Sequence, residues 1–285
     1  MLRAWKWTAL ALALVAGTAQ ASQIGPIGTY YLTEFDSFNT LNPSLDAIRG
    51  NGFAQYHKIG GVEGPTAVFT SPNVVRTTGA VLNTIGQEYG PVPSLAVFPT
   101  GSFYPNSFSL RDVFEDGTTN GTVNFTVGNG TGDVIATSTT WGGSGSFLFS
   151  TGISGDWGIT YDATNNSLWI QNSSSGAITD YTLGGGVITS FPTVINGFEA
   201  TALAMDVDHT LWFADFGGST IEHYSTTGTY LGSASYAGLG FANGGEIAAA
   251  TVPEPGSLTL LGIAAVGIVG VAVRSRRKKA TANSY

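Results

Sequence analysis

The sequence predicts an all-β body, a β-propeller of five or six four-stranded blades. Three observations carry this expectation. No long stretch between Ser22 and Val252 shows a 3.6-residue apolar period. Glycine is abundant, at 40 of 285 residues, and Asn-Gly pairs recur at Asn51, Asn120, Asn129, Asn196 and Asn243. Each pair signals a tight turn between short runs rich in Val, Ile, Thr and aromatic residues. Finally, a pattern returns every 43 residues. A lectin-like β-sandwich is the competing fold.

The period is clearest in the second half. Leu168-Trp169 recurs as Leu211-Trp212, Asn172 as Asp215, and Ile178 with Tyr181 as Ile221 with Tyr224. Upstream, Gly158 to Asp162 corresponds to Ala202 to Asp206. A weaker third copy places Phe125 and Ile135 at the equivalents of Leu168 and Ile178. Each clear copy divides into four short strands, at 158–162, 168–172, 177–182 and 187–191 in the first. Four strands per 40–50 residues is the plan of a propeller blade, which buries its faces only against neighbours.

These lines resemble the NHL and streptogramin-lyase-like propellers, whose blades run apolar strand, Asp/Pro turn, then aromatic strand ending in Asp. The segment Leu95 to Tyr104 fits the same plan. The two ends suggest how the ring closes. Tyr30 to Phe35 looks like Leu211 to Phe216, a second strand with no first strand before it. Gly245 to Ala248 lies 43 residues beyond Ala202 to Met205, a first strand with no second after it. Pairing them completes one blade from both termini and removes two exposed edges.

Outside the body, the chain carries two targeting signals. Arg3 and Lys6 precede the apolar stretch Trp7 to Ala16, and Ala19-Gln20-Ala21 supplies a small-x-small site. Residues 1–21 therefore read as a signal peptide, with the mature chain starting at Ser22. At the other end, the body (22–251) gives way to Val252-Pro253-Glu254-Pro255-Gly256. An uncharged run from Ser257 to Val273 follows, then Arg274, Arg276, Arg277, Lys278 and Lys279. Seventeen helical residues span about 26 Å, close to a hydrocarbon core of roughly 30 Å. The basic cluster predicts a transmembrane helix over 257–273 with its C-terminus in the cytoplasm and the body outside. Residues 280–285 form a short tail.

The order Val-Pro-Glu-Pro, apolar helix, basic cluster resembles the PEP-CTERM sorting signal of Gram-negative bacteria, over 252–279. That resemblance implies an exported protein held in the inner membrane until an exosortase-type enzyme processes it. Pro253, Glu254 and Pro255 would be the recognition site and the basic residues the membrane stop. Family members are associated with exopolysaccharide and biofilm. Their bodies are diverse, so the tail implies no activity.

Composition narrows the ligand. The body has four basic residues, Arg49, Lys58, Arg76 and Arg111, against 18 acids, a formal charge of −14. Nucleic acid needs clustered cations and is excluded as a partner. Cations and neutral sugars remain suitable. The chain has no cysteine, so neither disulfide nor thiol chemistry is available.

Few residues suggest chemistry. The three histidines, His57, His209 and His223, lack metal-ligand spacing and read as solvent-facing imidazoles. Gly128 to Asp133 reads as a hairpin turn. One constellation stands out. In a blade, the loop before the first strand and the loop after the second lie on one face. Asp156 and Glu199 fall before first strands; Glu34, Asn172 and Asp215 fall at the ends of second strands. This arrangement gathers carboxylates around one mouth of the channel, where oxygen ligands suit a divalent cation. Trp157 and Phe198 adjoin them and offer surfaces for stacking on a sugar ring. Alternatively, these acids only terminate strands and keep the protein soluble. The expectation is a non-enzymatic surface or matrix propeller binding polysaccharide or a surface protein, with no catalytic residue. The alternative is a metal-dependent lyase or lactonase-like enzyme.

Overall fold

The structure is a computed structural model. It describes residues 25–34, 44–57, 65–71, 74–79, 85–96, 98–105, 114–140, 145–194, 200–215 and 219–248. The signal peptide and the C-terminal sorting segment lie outside these residues, as does Glu199. No helix among the described residues is long and apolar enough to cross a membrane.

Twenty strands make five four-stranded antiparallel sheets among the described residues. One sheet holds β1 (Thr29–Glu34), β2 (Ser44–Arg49), β3 (Gly52–His57) and β20 (Ala242–Ala248). The next runs β4 (Pro65–Ser71), β5 (Val74–Gly79), β6 (Ile85–Gly90) and β7 (Phe98–Pro105). A third runs β8 (Phe114–Thr119), β9 (Val123–Gly128), β10 (Asp133–Ser138) and β11 (Ser146–Ser150). The last two are β12 (Asp156–Asp162) to β15 (Val187–Pro192), and β16 (Ala200–Met205) to β19 (Tyr230–Ser235). Between their edges lie β13 (Ser167–Asn172), β14 (Ala177–Thr182), β17 (Thr210–Asp215) and β18 (Thr220–Ser225).

The innermost strands β20, β4, β8, β12 and β16 abut one another in that order and return to β20, closing a ring. The body is thus a propeller, and the two-layer sandwich is excluded. The closing sheet mixes both termini as the sequence suggests: β1 pairs with β20, with Tyr30 opposite Ile247 and Tyr31 opposite Glu246. Neither β1 nor β20 is left unpaired at the seam.

The 43-residue spacing has a packing cause. Gly185 and Gly228 sit 43 apart at positive φ (83° in both) in the hairpins between third and fourth strands. A Cβ at Gly185 would stand 2.7 Å from Phe149 of the preceding sheet, and one at Gly228 would stand 2.7 Å from Phe191. Those same rings meet Tyr181 and Tyr224, at centroid distances of 5.5 and 6.1 Å. Each of these two sheets therefore lays an outer-strand phenylalanine on a glycine and a tyrosine of its neighbour. The core follows suit, with Trp169, Phe213 and Leu203 buried between two sheets.

Three sequence expectations need correction. The segment Leu95 to Tyr104 is not a strand-turn-strand unit. Leu95 packs beside Tyr31 and Val75, and the chain from Phe98 forms the outermost strand β7. Asn243-Gly244 is not a turn but lies within β20, where the register with β1 slips. Nor do the two described histidine rings simply face water. His223 stacks on Trp212 at 3.9 Å, while His209 Nε2 lies 3.0 Å from Asp162 Oδ2 of the adjoining sheet. The turn at Gly128 to Asp133 does form a hairpin, joining β9 and β10.

Candidate functional site

Antiparallel order gives the ring two faces. On the start face the innermost strands begin and the second strands end; on the finish face the reverse holds. Asp156 opposes Asn172, Ala200 opposes Asp215, and Ala242 opposes Glu34, so these positions share the start face. These are the positions that the sequence reading places around one mouth of the channel. Glu199 lies outside the described residues.

The geometry shows how its carboxylates are used. Asp156 is buried and accepts hydrogen bonds from Thr151 Oγ1 and, at 2.8 Å, from Asn172 Nδ2. Asn172 in turn donates to Ser154 O (2.9 Å) and accepts from Ser175 N (2.8 Å). Together the pair staples the loops on either side of it. Burial pushes the Asp156 carboxyl up, and its two partners pull it back. Trp157 lies beside Asp156, partly exposed at a register slip between β12 and β13.

Glu34 serves a similar purpose. Gly240 N donates to its Oε1, and Gln55 Nε2 to its Oε2 at 3.1 Å. The fully buried Asp46 on β2 adjoins it. Burial, and then the neighbouring Glu34 carboxylate, push Asp46 up to about 10, so it is protonated at neutral pH. Asp215 is partly exposed at the end of β17. The structure thus joins Asp156 to Asn172 and sets Asp46 beside Glu34. Among the described residues no group of three or more His, Asp or Glu side chains is placed to hold a metal ion.

A second polar constellation, absent from the sequence reading, occupies the axis. An innermost strand has one edge with no sheet partner, and its N–H groups would be orphaned there. Asp116 on β8 is fully buried and answers that need. Its Oδ1 accepts from Gly117 N and Gly245 N (2.8 Å each), and its Oδ2 accepts from Ile159 N at 3.0 Å. Leu203 N donates to the same carboxylate. One side chain therefore ties β8 to β12, β16 and β20. Thr118 Oγ1 accepts from Tyr161 N, and Thr160 Oγ1 from Met205 N, both at 3.0 Å, continuing the arrangement around the axis.

Glu246, on β20, completes the axial group with a hydrogen bond to Thr118. Burial drives both Glu246 and Asp116 up, while the backbone donors pull Asp116 back. Backbone N–H groups aimed at Asp116 thus favour its charged form more than that of Glu246. The sequence held one signal for this site. Asp116 stands 43 residues before Ile159, a charged residue in an apolar slot of the pattern.

On the finish face, aspartates at the ends of innermost strands clamp the next sheet. Asp206 accepts from Ile27 N (2.7 Å), Gly28 N (2.9 Å) and Val207 N (2.7 Å), which pins the chain leading into β1. Asp162 holds His209 and also accepts from Trp169 Nε1 at 3.3 Å.

Comparison with known proteins adds one sequence feature and a fold. Residues 251–278 match the PEP-CTERM protein-sorting motif. No curated protein matches the chain. Among solved structures, it resembles the nidogen/laminin complex at 10% identity and TM-score 0.50, covering 78% of this chain and 98% of that one. It also resembles a catalytically inactive virginiamycin B lyase from Staphylococcus aureus with quinupristin, at 16% identity and TM-score 0.42. That match covers 75% of this chain and 67% of the other. A streptogramin B lyase matches at 15% identity and TM-score 0.43, covering 74% and 69%. At such identities the likeness concerns fold alone.

Proposed function

We propose that this chain is an exported protein, held in the inner membrane by 257–273 with its propeller outside the cytoplasm. An exosortase-type enzyme then sorts it to the cell surface or matrix. Its start face is a non-enzymatic binding surface for polysaccharide or a surface protein. The sorting motif at 251–278 supports the first part. One observation carries the second: the mouth carboxylates are committed to the protein's own loops. Asp156 is held by Thr151 and Asn172, and Glu34 by Gly240 and Gln55. Acids so engaged serve as scaffolding, and the partly exposed Trp157 beside them presents an aromatic surface. Rings of this kind bind sugars through apolar contact, which costs an acidic protein nothing electrostatically.

Two experiments test this reading. A glycan array with the chain in detergent should give hits that survive chelation and weaken at least tenfold in Trp157→Ala. Binding that depends on a divalent cation would instead favour a metal-dependent enzyme. For the tail, removing Pro253–Pro255 should leave an unprocessed membrane-bound form. Unchanged mass and location would refute the sorting reading.

A further inference from the structure

Each sheet of the ring ends on its outside in a strand with one edge that has no ladder partner. Among the described residues these strands are β3, β7, β11, β15 and β19. None of the five contains Lys, Arg, Asp or Glu. Charged side chains, one usual guard against pairing between edges, are therefore absent from all of them.

Four of the five edges are interrupted in another way. The registers of β7, β11, β15 and β19 with their inner neighbours each slip once, at Gln87/Tyr89, Val134/Ile135, Asp180/Tyr181 and His223/Tyr224. Such bulges bend and twist a strand, which spoils its outer edge as a template. Proline also occurs in β7, at Pro99 and Pro105, and ends β15 at Pro192. β3 differs. It pairs with β2 at all six positions, from Arg49 opposite Gly52 to Ser44 opposite His57, without a slip, and it contains no proline.

The hairpin geometry fixes which groups this edge presents. Gly50-Asn51 is a two-residue turn, which makes Arg49 and Gly52 a hydrogen-bonded pair. Bonded and non-bonded pairs alternate along an antiparallel ladder. Phe53, Gln55 and His57 therefore turn their N–H and C=O groups away from β2. Every residue from Gly52 to Gln55 is partly exposed. Three donors and three acceptors in an unbroken row match another extended strand.

We propose that β3 is a self-association site, pairing antiparallel with β3 of a second copy about a two-fold axis through Gln55. That register sets Gln55 opposite its own copy and Phe53 opposite His57, and it gives each outward donor an acceptor. Phe53 keeps its stack on Tyr236, since only backbone groups are used. Two features favour a second copy over a foreign strand. The edge is its own complement, because the same three residues serve on both sides. The body also carries a formal charge of −14, so two copies repel, and an uncharged edge is where they approach at least cost. A contact confined to two six-residue strands is smaller than the roughly 1,200–2,000 Å² of stable interfaces, so the dimer is weak.

Sedimentation equilibrium of the full-length chain in density-matched detergent should show a monomer–dimer equilibrium. His57→Pro removes one outward N–H and leaves the ladder to β2 untouched, and should weaken the dimer about tenfold or more. Gln55→Cys places the chain's one cysteine on the two-fold axis. Paired Cα atoms there lie about 5.5 Å apart, within disulfide reach, so mild oxidation should give a covalent dimer. A monomer at every concentration would overturn the proposal. So would a dimer that keeps its affinity in His57→Pro and does not cross-link through Gln55→Cys, which would place the contact elsewhere. Hydrogen exchange separates the remaining case: a monomer with protected Phe53, Gln55 and His57 amides has its edge covered by something other than a second copy.

Discussion

Replacing Asp116 by alanine should be among the most damaging single changes in the body. Its carboxylate accepts four backbone N–H groups, three of them from other sheets: Ile159, Leu203 and Gly245. Alanine leaves those three donors buried without an acceptor, at about 1–3 kcal/mol each. Against that stands relief from burying a carboxylate, which the raised Asp116 pKa shows to be unfavourable. A net loss of about 3–5 kcal/mol follows, a large part of the 5–15 kcal/mol typical of a folded domain. Asp116→Asn keeps one acceptor but turns an NH₂ toward the donors, and should lose roughly half as much. Pulse proteolysis in a urea series on detergent-solubilised chain would read the midpoint of each variant. If Asp116→Ala stays within about 1 kcal/mol of the parent, solvent satisfies the inner edges and the axial carboxylate does not hold the ring together.

Other perturbations follow from the same contacts. Gly228→Ala should cost about 1–3 kcal/mol in the same assay, since φ is 83° and the new Cβ meets Phe191. Asp206→Ala should cost about 2–4 kcal/mol and expose the segment before β1 to protease first, because Ile27 and Gly28 lose their acceptor. Stability should fall as pH rises. Asp46 is pushed from 3.8 to about 10, so the folded state keeps a proton that the unfolded chain releases. Its contribution is complete below about pH 4 and is lost progressively toward pH 10; Glu246 acts in the same direction. Thermal melts between pH 5 and 9 should therefore show a declining Tm, and Asp46→Asn should flatten the slope. An unchanged slope in Asp46→Asn would refute the buried proton.

Much of the fold was legible because propeller packing is periodic. Leu168 with Trp169 and Leu211 with Trp212 occupy equivalent slots between sheets, and this repetition shows directly as a 43-residue spacing. Seam closure was legible too, since β1 and β20 each lacked a partner within their own stretch. The earlier sheets were harder: Leu95 and Phe98 lie in different local environments although their sequence reads as one unit. Strand order alone puts Asp156, Asp215 and Glu34 on one side of the ring. Their employment was not legible, because Asp156 finds Thr151 and Asn172 only once two loops meet.

What the sequence determined by itself is local and repetitive: strand and turn periodicity, and the sorting motif at 251–278. These depend on residues near one another or on a spacing repeated along the chain. Tertiary structure alone decided where the charges go. Asp116 reaches a glycine 129 positions away. An unsatisfied inner edge exists only after the ring has closed. The group that satisfies it therefore cannot be identified from its neighbours in sequence.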